Sequence, residues 1–71
     1  MYVELYGEKV RALREGRGMS KRDLAAAAGI STTTARNAER GEPVQTETAR
    51  KVARALEVDP PQRLRRVSRR A

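Results

Sequence analysis

The sequence contains no cysteine and no histidine. Without cysteine there is neither a disulfide nor a thiolate metal site. Without histidine the chain lacks the commonest general base and metal ligand. No cluster of carboxylates stands in for them, so no enzyme activity, cofactor or metal is expected. Phenylalanine and tryptophan are also absent, and there are two tyrosines, Tyr2 and Tyr6. A surface that stacks the bases of RNA or single strands is therefore poorly supported; the two tyrosines are expected to pack in the core or between protomers. No apolar run approaches the roughly 18 residues of a membrane span. The N-terminus lacks the basic-then-apolar order of a signal peptide. The expected location is cytoplasmic and nucleoid-associated, with no membrane partner.

Acidic residues are scarce as well. Nine Asp and Glu face 16 Lys and Arg, for a net charge of +7. The last twelve residues, Pro60 to Ala71, hold Arg63, Arg65, Arg66, Arg69 and Arg70 and no acid. An excess of this size in a small domain points to a polyanionic partner, with solubility alone as the plainer reading. The chain is 71 residues long. That is one small domain with a modest core, which self-association or a ligand would help to stabilise.

What is present is mostly helix. Tyr6, Val10 and Leu13 recur at helical spacing, which predicts a first helix from about Leu5 to Arg17. Val3 and Leu5 either extend it backwards, or Met1 to Tyr6 pairs as a short strand in a dimer. Ser20 is a cap with Asp23 three residues on, a capping-box arrangement that opens a second helix, Lys21 to Ala28. Gly29 stops it. Ser31 caps a third helix, Thr32 to Arg40, closed by Gly41. A fourth runs from Gln45 or Thr46 to near Glu57, with Ala49, Val52, Ala53 and Leu56 as its apolar stripe. Asp59 is expected to cap a fifth that runs to about Val67, with proline at its first position and Leu64 inward. The expected fold is thus all-α, a bundle of about five short helices. Residues 1–67 form the domain and residues 68–71 a short basic tail.

The third helix is unusual. Thr32, Thr33 and Thr34 are β-branched and cost a few tenths of a kcal/mol each in a helix, yet the caps and the period of Ala35 and Ala38 outweigh them. Exposed helix faces ordinarily carry Glu, Lys, Gln or Arg, so threonine and asparagine there need another cause. Contact with base edges supplies one. Asparagine bonds adenine at N6 and N7, and a threonine methyl packs on a thymine methyl. A solvated helix face is the alternative. Arg36 and Arg40 fit phosphate contacts. Two short helices joined by Gly29, Ile30 and Ser31 make a helix-turn-helix unit, whose second helix enters the major groove of double-stranded DNA.

Four blocks in order, VRALRE, GMSKRDLAAAAGIS, ERG and TARKVARALEV, resemble the lambda-repressor-like, Cro-type (Xre) helix-turn-helix family. The likeness runs from about Leu5 to Leu64. It implies a five-helix bundle that reads DNA with its second and third helices. It implies a structural ion pair between Arg14 and Glu39. It places Ser31, Thr32, Thr33 and Asn37 at base-contacting positions. Lys21 stands where the family most often has glutamine, which suggests a phosphate anchor, with Arg22, Arg36 and Arg40 as further phosphate contacts. The chain departs from the pattern at Ala35 and Ala38, where larger aliphatics are usual, and is expected to seat the third helix deeper against the second and fourth. Pro60, Pro61 and Arg63 depart from it at the fifth helix.

The resulting expectation is a sequence-specific transcriptional regulator, a repressor that binds an inverted repeat as a homodimer and blocks polymerase. These 71 residues leave no room for an effector-sensing module; if they are the full length, control would come from concentration, degradation or a protein regulator. The alternatives are the DNA-binding antitoxin of a toxin–antitoxin pair, with a toxin as partner, and an architectural or recombination-directing DNA-binding protein.

Overall fold

The computed structural model describes residues 1–66. In chain order they form β1 (Tyr2–Val3), α1 (Gly7–Gly16), α2 (Lys21–Ala28), α3 (Thr32–Glu39), β2 (Val44–Gln45) and α4 (Thr46–Ala55), then a single 3₁₀ turn, Pro61–Leu64. Two expectations need correcting. The described chain is not all-α, because β1 and β2 pair antiparallel, with Tyr2 opposite Gln45 and Val3 opposite Val44. It has four α-helices rather than five.

The N-terminal residues are a strand, and the partner is the chain itself. The Met1 carbonyl accepts from the Thr46 N–H at 3.0 Å. Leu5 is buried and lies opposite Arg65 in an isolated bridge. These pairings hold Val3 and Leu5 extended, so α1 starts two residues later than the periodicity implies. The same bonds explain the lost fifth helix. The Leu64 carbonyl accepts from the Tyr6 N–H at 2.8 Å, and the Arg66 N–H donates to the Glu4 carbonyl at 2.7 Å. Backbone groups that would continue a helix are spent on the N-terminal segment, so after one turn the chain runs extended. Asp59 does not cap that turn: Pro60 holds the cap position and no side chain bonds there. Leu64 is fully buried, as its inward assignment requires. The expected helical end at Val67 and the tail 68–71 lie outside the described residues.

The other helices form where local chemistry dictates. In α2 the Asp23 N–H donates to the Ser20 hydroxyl and the Ser20 N–H to the Asp23 carboxylate, both at 3.0 Å. Both donors are among those a helix start otherwise leaves unpaired. Gly29 ends α2 at φ +71°, a left-handed conformation that only glycine adopts without steric cost. The turn then lets Ile30 N–H reach the Ala25 carbonyl at 2.9 Å, and Ile30 packs half-buried against the core.

The core lies between these helices. Leu5, Val10, Leu24, Val52, Leu56 and Leu64 are its larger members, with Ala35, Ala38 and Ala53 fully buried among them. Ala35 and Ala38 bring α3 in close, chiefly against α2 and α1; α4 packs on α2 and on the 3₁₀ turn. The expected seating of α3 on α4 gives way to this arrangement. Gly7 shows how near α1 comes to α3. A Cβ at that position would overlap the Glu39 carbonyl group. Tyr2 and Tyr6 are not core residues: they are 64% and 41% exposed. Tyr6 instead precedes α1 as its cap residue.

Candidate nucleic-acid interface

The α3 helix is held by a polar lock. Arg14 is buried on α1, and its guanidinium reaches Glu39 at the end of α3 through Nε to Oε2 (2.5 Å) and Nη2 to Oε1 (3.3 Å). Its Nη1 donates to the Met19 carbonyl at 2.6 Å. One side chain thus ties α1, the α1–α2 turn and α3 together. The hydrogen bond that Arg14 donates to Glu39 raises the Arg14 pKa above its already high ordinary value, so the arginine is charged at every working pH.

With α3 fixed from inside, its outer face is set by the 3.6-residue period. Ala35 and Ala38 point inward, Thr32, Thr33, Arg36 and Arg40 are exposed, and Thr34 and Asn37 are half-buried on one flank. Ser31 is exposed but occupied. Its hydroxyl accepts from the Thr34 N–H at 3.0 Å and donates to Thr34 Oγ1 at 2.8 Å. Its first role is therefore to start α3, and one oxygen lone pair is left over for a ligand. The first turn of α3 carries no acid. The partial positive charge of that helix end is left unneutralised toward solvent.

The flank opposite Asn37 is cationic. Arg11, Lys21, Arg36 and Arg40 converge with the Arg14–Glu39 pair around a shallow depression of about 400 Å³. Arg11 bonds Glu15 at 3.2 Å, and Arg40 lies 3.8 Å from Glu42. Among the described residues, Lys21 and Arg36 have no carboxylate within ion-pair distance. The phosphate candidates Lys21, Arg36 and Arg40 thus sit together. Arg22 is exposed on α2 but does not line this depression. Arg11 belongs to it and was not singled out from sequence. Its spacing of three from Arg14 is the signal that places it on the same side of α1.

Short hydroxyl and amide side chains on α3, a helix start that carries no acid and a flanking cluster of cations are the kinds of group that helices entering a major groove use. The fold and this site together define a helix-turn-helix DNA-binding protein. The helix-turn-helix family model matches residues 10–62, from within α1 into the 3₁₀ turn. The chain belongs to the Xre, lambda-repressor-like helix-turn-helix family, whose members bind double-stranded DNA as transcription regulators. No curated protein matches the sequence. Among the described residues no helix is long and apolar enough to cross a membrane.

Proposed function

We propose that the protein is a transcriptional repressor that binds an inverted-repeat operator as a homodimer and excludes polymerase from a promoter. The observation that carries this reading is the arrangement of α3, with Thr32 and Thr33 exposed, Asn37 half-buried on one flank and Lys21, Arg36 and Arg40 clustered on the other. In this reading α3 lies in the major groove. Asn37 bonds an adenine edge and the two threonines pack on bases or their methyl groups. Ser31 contributes a weaker base contact through its spare lone pair. Lys21, Arg36 and Arg40, with Arg22 further along α2, hold phosphates and set the register. Arg14 and Glu39 act indirectly by fixing the angle of α3. The activity is binding rather than catalysis, and its place is the cytoplasm, on the nucleoid.

A two-fold dimer implies two half-sites one helical turn apart, about 34 Å centre to centre. A footprint on genomic DNA is expected to protect a small number of such inverted repeats. Protection spread evenly over the DNA, without preferred sites, would contradict a sequence-specific repressor and favour an architectural role.

A further inference from the structure

The small sheet brings to the side of α3 a residue that the helix-turn-helix itself does not supply. The pairing of Tyr2 with Gln45 and Val3 with Val44 fixes the position of β1. That register sets Tyr2 on the Asn37 flank of α3, away from Arg36 and the cationic cluster. Tyr2 lines a depression of about 360 Å³ together with Thr34 and Asn37 of α3 and with Gln45 and Thr48 at the start of α4. The lining carries hydroxyls and amides and no charged side chain. Tyr2 is 64% exposed, so its ring is not committed to the core. Gln45 occupies the cap position of α4 without a side-chain cap bond, which leaves its amide available. On its other side Tyr2 borders a second depression, shared with Glu4, Arg65 and Arg66, where Arg66 lies 3.7 Å from the Glu4 carboxylate.

A helix in the major groove runs between two phosphate backbones, one on each flank. On the Lys21 and Arg36 flank the cations meet their strand. On the Asn37 flank the side chains that border α3 are neutral donors, with Arg65 and Arg66 beyond Tyr2. Hydroxyl and amide groups are regular partners of phosphate oxygens. We infer that Tyr2 is a DNA-backbone contact whose phenol donates to a phosphate oxygen of the strand on the Asn37 flank, with Gln45 beside it. This contact rests on α3 being the reading helix. It gives this contact a different physics from those of Lys21 and Arg36. A cation at a phosphate releases counterions and makes binding salt-dependent, whereas a neutral donor adds affinity without doing so.

The test is Tyr2→Phe, which removes only a hydroxyl at an exposed position. Binding to the preferred site and to random DNA is expected to weaken about three- to tenfold alike, with the salt slope unchanged. Sensitivity to ethylation of one phosphate per half-site is expected to disappear with the hydroxyl. Wild-type affinity in Tyr2→Phe would overturn the inference, as would a loss confined to the preferred site or a change of salt slope. Failure of the underlying reading shows itself separately. In that case Asn37→Ala leaves sequence preference intact, whereas failure of the Tyr2 contact alone leaves the Asn37→Ala effect in place.

Discussion

Arg14 on α1 grips both carboxylate oxygens of Glu39 on α3 while its third nitrogen holds the Met19 carbonyl. The two side chains are 9% and 5% exposed. A pair this dry is costly to break from one side, because the remaining charge stays buried without its partner. Glu39→Ala is expected to destabilise the fold by about 3 kcal/mol, which for a domain of this size lowers Tm by more than about 10 °C. Thermal unfolding followed by circular dichroism checks it. A melt within one or two degrees of wild type would mean that the pair is ornamental.

Gly7 predicts a different kind of sensitivity. Its place against the Glu39 carbonyl leaves no space for a side chain, and the obstacle is backbone, which does not swing aside. Gly7→Ala gains helix propensity of up to about 1 kcal/mol, yet is expected to be destabilising, because α1 and α3 must separate to admit the methyl group. Gly16→Ala is the control. It lies on the same helix with open space around it and is expected to hold or raise Tm. Equal responses from the two variants would show that the close approach does not exist.

The cap of α2 carries a pH signature. The Ser20 N–H and hydroxyl bonds hold the Asp23 carboxyl below its ordinary value of 3.8. A lowered folded pKa means that the cap contributes fully above the unfolded value and is lost as pH falls through the folded one. The difference in urea midpoint between wild type and Asp23→Asn is therefore expected to be constant near neutrality and to shrink below about pH 4. A difference that stays constant down to pH 2 would remove the aspartate from the cap.

These elements also show how far the sequence could be read. The α2 cap, the turn at Gly29 and the inward set of α3 follow from bonds and periods within a few residues, and all are legible. The β1–β2 pair is not. Two-residue strands have no periodicity, and their partners are about forty residues apart along the chain. The same non-local bonds shortened α1 at Leu5 and replaced the fifth helix with one turn at Pro61. At the interface, Thr32, Thr33 and Arg36 could be placed on an outer face from the helical period alone. The position of Tyr2 beside Asn37 depends on the register with Gln45, so composition assigned that tyrosine to packing.

Self-association is a further consequence of the proposed function. On a duplex with two half-sites, sedimentation is expected to give two protomers at saturation, and cutting the spacing by half a helical turn is expected to remove the cooperativity between them. A single protomer bound at saturation would contradict the homodimer.

The central claim, that α3 reads bases while the cationic flank holds phosphates, is tested most directly by a salt titration of DNA binding for Asn37→Ala and Lys21→Ala. Asn37→Ala is predicted to cost about 1–3 kcal/mol on the preferred site, little on random DNA, and to relax the choice at one base pair per half-site. Lys21→Ala is predicted to weaken both DNAs about equally and to lower the salt slope by about one unit per protomer. If Asn37→Ala instead weakens both DNAs in parallel and leaves sequence preference untouched, α3 is not the reading helix.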